Sequence, residues 1–387
     1  MSENVVVLGS GYAGSGAVKA LERELPSDAD LLWISEVDYH FVLHEAHRIV
    51  RDPTAKEKIT IPIGEITESR TEFVRARVVD LDTDDRRLVT DAGDRYDYDY
   101  LLLALGSETP DFGIDGVAEH GLTLKSLDDA LRIHDSMREA AADAAHDDPA
   151  TVVIGGAGLS GIQTAGEIAA YRDETGHSID VVLVEGLDEV FPNNPEPIQR
   201  ALYERLDAAG VDIRTGEFIS EVTDEAVRFP GSDPIEYDTF VWAGGVRGPD
   251  ELADCSVSKH DRSGQVFADA TFRTSDDRVF AIGDTAMVEQ GDDDHAPPTA
   301  QAAWQAAEVA AENVARGIEG RPLRSWTYDD RGTLISIGEK AVAYDVKPLP
   351  LELFGSLPAK LLKKFVAARW IADVSSWRRA RNAWSSL

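Results

Sequence analysis

Two glycine-rich turns are the residues of this chain whose types and spacing predict chemistry. Each follows an apolar run, Val5 to Leu8 in one case and Thr151 to Ile154 in the other. The glycines are Gly9, Gly11 and Gly14 in the first turn and Gly156, Gly158 and Gly161 in the second. In a strand–turn–helix unit the first glycine permits the tight bend, the second admits a pyrophosphate, and the third lets the helix pack against the strand. Two such turns, about one domain apart, predict a chain that holds two dinucleotides.

A carboxylate stands at the end of the next predicted strand in each unit. Glu36 follows the run from Leu31 to Ser35, and Glu185 ends the run that begins at Ile179. A carboxylate at this place accepts hydrogen bonds from the adenosine ribose and repels a 2′-phosphate. The second unit is therefore expected to prefer NADH to NADPH. The alternative is that both residues are ordinary strand-ending acids of an acidic protein.

The charge of the chain is extreme for its length of 387 residues. Seventy-one acidic side chains stand against 38 basic ones, which gives a formal net charge of −33. Such self-repulsion is tolerated where salt screens it, so the composition predicts a halophilic protein; an acidic cytosolic enzyme is the alternative. Nucleic acid is not expected as a partner at this charge.

The cysteine, histidine and hydropathy patterns argue against several kinds of site and segment. Cys255 is the only cysteine, so no disulfide, Cys-x-x-Cys pair or thiolate metal site is expected. His44, Glu45 and His47 fall one residue short of the His-Glu-x-x-His zinc pattern, so no metal site is predicted. Val5 already begins a core strand, which argues against a signal peptide, and no apolar run is long enough to cross a bilayer.

The carboxyl-terminal segment differs from the rest in composition. From Val346 onward it has eight Lys or Arg residues and two acids. We expect a helix from about Ala359 to Trp384, with Lys363 at the margin of an apolar stripe. The stripe comprises Leu362, Val366, Trp370, Trp377 and Trp384. Residues 358–387 are therefore predicted to bind an anionic lipid surface; the alternative is packing on the protein itself or on a second subunit in a homodimer.

Several motifs together resemble those of the type II NADH dehydrogenases, single-subunit flavin enzymes that reduce membrane quinone without pumping protons. Beyond the two turns, the resemblance lies in six segments and covers nearly the whole chain. These segments are Tyr98 to Ser107, Phe112 to Ile114, Leu124 to Ala130, Val241 to Arg247, Phe280 to Asp284 (Phe-Ala-Ile-Gly-Asp), and Pro297 to Gln305, which contains Ala-Gln-x-Ala-x-Gln.

The resemblance implies an α/β fold of two Rossmann-like dinucleotide-binding domains of the glutathione-reductase type. The FAD domain would comprise residues 1–112 and 272–325, and the NADH domain residues 113–271. Residues 326–387 would form an amphipathic, membrane-docking region. The enzyme would lie at the cytoplasmic face of the cell membrane as a peripheral protein.

The resemblance also implies which residues bind the cofactors, FAD and NADH, and the quinone. For FAD they are Gly9, Gly11, Tyr12, Ala13, Gly14, Glu36, Val79, Ala104, Gly106, Asp284 and Ala302. For NADH they are Gly156, Gly158, Gly161, Glu185 and Gly244. The catalytic positions are Gln163, Gln301 and Gln305, the last two facing the quinone. Members of the family often have Glu where this chain has Gln163, which cannot shuttle a proton; Glu167 and His44 are candidate replacements.

The predicted function is FAD-dependent transfer of reducing equivalents from NADH to a membrane quinone. A sulfide:quinone reductase is disfavoured because Cys255 stands alone. Two alternatives stay open: a soluble NADH-dependent reductase of a protein electron carrier, and a low-turnover NADH- and flavin-binding regulatory protein.

Overall fold

A computed structural model describes residues 2–291 and 294–387 of the chain. The elements up to residue 103 alternate strand and helix and then add a β-rich insertion. They are β1 (Asn4–Leu8), α1 (Tyr12–Glu24), β2 (Asp30–Ser35), β3 (Tyr39–Phe41), α2 (His47–Arg51), α3 (Lys56–Ile59), β4 (Thr60–Pro62), β5 (Thr71–Arg75), β6 (Val78–Asp82), β7 (Arg87–Thr90), β8 (Arg95–Asp97) and β9 (Tyr100–Leu103).

The middle of the chain repeats the alternation of strand and helix. Its elements are α4 (Val117–His120), α5 (Leu127–Asp143), β10 (Ala150–Gly155), α6 (Leu159–Thr175), β11 (Ile179–Glu185), α7 (Glu196–Asp207), β12 (Val211–Thr215), β13 (Glu221–Val222), β14 (Ala226–Arg228), β15 (Ile235–Glu236) and β16 (Thr239–Trp242).

The last third returns to the first sheet and then forms a separate carboxyl-terminal region. Its elements are β17 (Val266–Ala268), β18 (Val279–Ala281), β19 (Ala286–Gly291), β20 (Asp294–His295), α8 (Ala300–Ile318), β21 (Thr333–Ile337), β22 (Lys340–Tyr344), β23 (Leu353–Gly355), α9 (Ser356–Val374) and α10 (Trp377–Ala383).

Two parallel sheets form the centre of the molecule. One has the strand order β18-β9-β1-β2-β5 and the other the order β12-β11-β10-β16, and their neighbouring strands pair in parallel. The central strands are buried apolar runs, as expected for a parallel sheet covered on both faces. The two predicted Rossmann-like units are confirmed.

The first sheet draws its strands from distant parts of the chain, because β18 pairs with β9. A small sheet of β17, β19 and β20 lies nearby in the sequence. The proposed limit between residues 271 and 272 therefore falls between two paired strands, β17 and β19. The limits after residues 112 and 325 fall outside helices and strands.

The carboxyl-terminal region differs from its prediction in two respects. The expected single helix from Ala359 to Trp384 is instead two helices, α9 and α10, interrupted at Ser375 and Ser376. Ser376 caps α10, because its hydroxyl accepts a hydrogen bond from the backbone N–H of Arg379 at 3.3 Å. In the described part of the chain, no helix combines the length and apolarity required to span a bilayer.

One member of the predicted apolar stripe, Trp370, lies in the protein core, whereas Val366, Trp377 and Trp384 are exposed. Trp370 is 1% exposed. Its ring stacks on Tyr12 with 4.5 Å between centroids, and its indole N–H donates to His40 Nε2 at 2.8 Å. Lys363, placed at the stripe's margin, is buried as well. Helical periodicity places Trp370 and Val366 on one face, but Trp370 packs on the first unit while Val366 is exposed.

Replacing Trp370 with Ala is expected to destabilise the protein strongly, because truncating a buried tryptophan costs about 3–5 kcal/mol. Trp377→Ala is the matched control, since Trp377 is 67% exposed and a surface change of this kind costs about 0.5 kcal/mol or less. Urea unfolding of the flavin-containing protein measures both. Equal losses would contradict the packing of α9 against the core.

Candidate active site

The first glycine turn is shaped so that only glycine fits at two of its positions. Gly9 has φ +98°, and a Cβ there would collide with the carbonyl oxygen of Ala104. A Cβ at Gly14 would collide with the carbonyl of Gly9. Around Gly11, in contrast, a Cβ would meet nothing within 4 Å, so the backbone there is open to a ligand. This cradle fits the pyrophosphate of a dinucleotide at the start of α1.

The second turn repeats this geometry. Gly156 has φ +103°, and a Cβ on Gly161 would collide with the carbonyl of Gly156, whereas Gly158 is open. Glu185 is fixed beside the turn by two backbone N–H donors: Ala157 donates to Oε2 at 2.8 Å and Leu187 to Oε1 at 3.0 Å. The carboxylate thus stands where a ribose would follow the pyrophosphate.

A cavity of about 400 Å³ lies between the two turns. Its lining comes from both units and from the start of α8. The predicted site residues that line it are Gly11, Tyr12, Ala13, Ala104, Gly106, Gly158, Gln163 and Asp284. Both glycine turns therefore open onto the same space, which is the arrangement needed to bring two nucleotide cofactors together.

Asp284 stands at the wall of this cavity. Its Oδ2 accepts a hydrogen bond from the Ser107 hydroxyl at 3.1 Å, and the Lys125 ammonium donates to the same hydroxyl at 3.0 Å. Burial raises the pKa of Asp284, against the opposing effects of Lys125 and Ser107. The carboxylate lines the cavity, and its contact with a bound flavin stays a prediction.

The amino terminus of α8 also faces the cavity. Pro298, Thr299 and Ala300 line it, and the Thr299 hydroxyl caps the helix by accepting from the N–H of Ala302 at 3.2 Å. A helix amino terminus stabilises negative charge. The start of α8 is therefore suited to a reduced flavin.

Other predicted cofactor residues are placed less centrally. Glu36 follows β2 and is exposed, as is Val79 on β6. Gly244 follows β16 but is absent from the cavity lining, which its neighbours Ala243 and Gly245 provide. Contacts of these residues with cofactor stay predictions.

Gln301 and Gln305 do not line the cavity. Their side-chain amides hold the segment after α8 instead. Gln301 donates to the Tyr328 hydroxyl at 2.5 Å and accepts from the N–H of Arg331 at 3.2 Å. Gln305 donates to the carbonyl of Asp329 at 2.8 Å and accepts from its N–H at 3.0 Å. Their expected contact with a quinone would require these bonds to be exchanged.

Gln163 reaches from the cavity wall into a buried polar cluster. Lys363 Nζ donates to Gln163 Oε1 at 2.7 Å and to the Ser336 hydroxyl at 2.7 Å. The same ammonium lies 3.2 Å from His47 Nε2 and 3.4 Å from Glu45 Oε1. Lys363 is thus held by the first unit, by α6 and by the carboxyl-terminal sheet.

The ionisation of this cluster follows from burial and close charges. Burial lowers the pKa of Lys363 to about 8, against the pull of the Glu45 carboxylate. Burial also disfavours charge on Glu45, but Lys363 and Arg48 outweigh it and lower the pKa of Glu45 to about 2. An ammonium–carboxylate pair is therefore present at neutral pH. Lys363 loses its proton when the pH rises above about 8.

The two candidate replacements for the missing glutamate differ in position. Glu167 is held by Arg48 at 3.1 Å and Arg51 at 2.9 Å, and it is not part of the cavity lining. His44 lines the cavity, and its Nδ1 is hydrogen-bonded to the Tyr12 hydroxyl. Burial lowers the pKa of His44 to about 4, so its imidazole is neutral at pH 7.

Sequence reasoning missed Lys363, Glu45 and Ser336 as members of the site. The sequence contained one indication of the role of Lys363, because this residue interrupts the apolar face of the predicted carboxyl-terminal helix. A lysine on an apolar face that packs inward must find buried partners. Nothing in the local sequence indicates which partners those are.

The fold and the paired turns define a class, the two-dinucleotide flavoprotein oxidoreductases. Residues 3–307 match the family described as pyridine nucleotide-disulphide oxidoreductase, and the chain belongs to that family.

More particular relatives are type II NADH:quinone oxidoreductases, among which this chain falls. That of Staphylococcus haemolyticus is 30% identical over 355 residues, and that of Staphylococcus saprophyticus is 29% identical over 361; each alignment covers 87% of this chain and 88% of the relative. The fold is similar to NDH2 of Plasmodium falciparum, solved in complex with NADH, with TM-score 0.83, 16% identity, and coverage of 100% and 97%.

Glu185→Ala is expected to relax the preference for NADH over NADPH, because it removes the carboxylate that would bind the ribose and repel a 2′-phosphate. The NADH/NADPH ratio of kcat/KM should fall about tenfold or more, the loss of one charged hydrogen-bonding partner. Glu189→Ala, an equal change of charge four residues away, should leave the ratio within twofold. An unchanged ratio in Glu185→Ala would refute the assignment.

Proposed function

We propose that this protein is an FAD-dependent NADH:quinone oxidoreductase that works at a membrane surface without pumping protons. The observation that carries the proposal is the common cavity onto which both glycine turns open. Bound FAD would accept a hydride from NADH and pass two electrons to the quinone. The chain needs no thiol for this, and Cys255 is buried with its Sγ directed to the carbonyl of Leu252.

The protein's part in the reaction is to bind, orient and supply protons. Each glycine turn, with the carboxylate of its own unit, would hold the adenosine end of one nucleotide. These carboxylates are Glu36 in the first unit and Glu185 in the second. The reactive rings of the two nucleotides would then meet between the turns. The start of α8 would stabilise the charge that a reduced flavin carries. Asp284 would orient the flavin through its polyol chain.

Reduction of a quinone to a quinol consumes two protons, and Lys363 is the group best placed to deliver one of them. Gln163 cannot act as an acid, but it holds the Lys363 ammonium behind the cavity wall. His47 both lines the cavity and lies 3.2 Å from Lys363. An imidazole that receives a proton on one nitrogen can release another from the second, so His47 would link Lys363 to the acceptor.

The exposed apolar side chains support the proposed docking to a membrane. Nine of the sixteen large apolar side chains exposed in the described residues lie between positions 349 and 384. Leu357, Leu361 and Phe365, which we call the docking stripe, follow one another at four-residue spacing along α9. In high salt, charge attraction to lipid is screened, so these apolar contacts would supply most of the binding. Because NADH is an intracellular substrate, docking would occur at the cytoplasmic face.

Replacing the docking stripe by Asp at all three positions tests function and membrane docking together. In molar KCl the flavin-containing wild type should oxidise NADH with a long-chain quinone held in phosphatidylglycerol vesicles. The activity of the triple variant should be at least tenfold lower, and the variant should no longer sediment with vesicles. Its rate with a soluble short-chain quinone should stay within twofold. Tyr203→Asp, an exposed residue of α7, is the control.

Other results of that experiment favour other functions. A wild type that reduces neither quinone would contradict the proposal. Reduction of a soluble protein carrier in its place would favour the carrier reductase. A triple variant that stays on vesicles but changes from dimer to monomer would identify the stripe as a homodimer surface.

Lys363→Met is expected to lower the rate of quinone reduction at least tenfold, because loss of a positioned acid costs two or more orders of magnitude when proton transfer limits. NADH oxidation by ferricyanide, which takes electrons without protons, should stay within twofold. Wild-type quinone turnover should fall as pH rises through about 8, where Lys363 deprotonates, and the variant should lose this dependence. Lys364→Met is the control, and equal loss with both acceptors would contradict the role.

A further inference from the structure

Two exposed apolar side chains lie next to the carboxylate of the second unit. Leu187 is two residues beyond Glu185, and Phe218 is three residues beyond the end of β12. Phe218 is 62% exposed and Leu187 is 43% exposed. The ring of Phe218 lies against Gly186, where a Cβ would be 2.6 Å from two of its carbons. A side chain at position 186 would displace the ring.

Backbone hydrogen bonds hold these two segments together. The N–H of Gly216 donates to the carbonyl of Leu187 at 2.8 Å, and the N–H of Glu217 donates to the carbonyl of Glu185 at 3.1 Å. The ends of β11 and β12 therefore form one surface, which carries Phe218 and Leu187 beside Glu185.

The position of an adenine on this surface follows from the order of groups in a dinucleotide. A bound pyrophosphate would lie at the start of α6 and the ribose at Glu185. The base would extend from the ribose away from the pyrophosphate, across the ends of β11 and β12. The flat apolar ring at that place is Phe218.

The first unit lacks such a ring at the matching place. Three residues beyond the end of its strand β5 stands Val78, which is buried and aliphatic, and the N–H of Ala76 pairs with the carbonyl of Ser35 in a similar backbone contact. Arg75 and Arg77 are cationic, whereas the segments 185–189 and 215–218 contain no Lys or Arg. The two surfaces therefore differ in chemistry although the backbones correspond.

We propose that Phe218 and Leu187 form the adenine platform of the NADH site, with the base stacked on the Phe218 ring and Leu187 as the second apolar wall. This inference rests on the proposed use of NADH. Stacking suits a substrate that must bind and leave in every turnover, because it needs no buried charge and no hydrogen bond to be broken. It offers nothing to pair with a 2′-phosphate, so the preference for NADH would be set by Glu185.

Phe218→Ala, compared on two hydride donors, tests the platform. For NADH, kcat/KM should fall about tenfold or more, the usual effect of losing one base–aromatic stack. For reduced nicotinamide mononucleotide, which has the same dihydronicotinamide but no adenosine, it should stay within twofold. Phe218→Trp should retain wild-type values with both donors. Phe267→Ala, at an exposed phenylalanine on β17, is the control.

Calorimetric titration with ADP-ribose gives a readout that does not depend on turnover. The Kd of Phe218→Ala should rise about tenfold relative to wild type. Unchanged values for NADH and ADP-ribose, or equal losses with both hydride donors, would overturn the platform. If the wild type binds ADP-ribose with this dependence on Phe218 but does not oxidise NADH, the platform stands and the proposed oxidoreductase activity fails.

Discussion

A single buried ammonium ties the carboxyl-terminal region to the catalytic domains. Lys363 is 4% exposed and carries a charge that the protein interior accepts only with close partners. Glu45 lies in the segment before α2, Gln163 on α6 and Ser336 on β21, so the partners come from three distant parts of the chain. If α9 moved away, the Glu45 carboxylate would be left buried without its ammonium. Helix α9 is therefore anchored behind the cavity wall, where Lys363 contacts Gln163.

The sequence predicted those parts of the site that depend on local backbone geometry. Gly9, Gly156 and Glu185 belong to turns whose shape is set within a few residues, so their spacing was informative. The cluster around Lys363 was not predictable in this way, because its contacts join residues up to 316 positions apart. Trp370 was misplaced for a related reason: periodicity gives an apolar face, and only the fold decides whether that face meets lipid or Tyr12.

The two Rossmann-like units have similar backbones. They differ beside their ligands, of which one would stay bound and the other would be exchanged in every turnover. In both, a glycine turn and a strand-ending carboxylate are retained. The first unit continues with Arg75 and Arg77, whereas the second continues with an exposed phenylalanine ring beside Gly186. A substrate that is exchanged in every turnover would be served by a preformed, open apolar surface.

The two sides of α9 would connect the proposed proton donor with the proposed membrane surface. Leu357, Leu361 and Phe365 face outward, while Lys363 and Trp370 face the interior. A helix with one apolar outer face can rest on lipid without carrying its buried charge into the bilayer. An apolar acceptor leaving the lipid would then meet the protein at the helix whose inner side holds a proton for it. The proton would stay on the Lys363 ammonium, which Gln163 and Glu45 hold away from solvent, until the acceptor has been reduced.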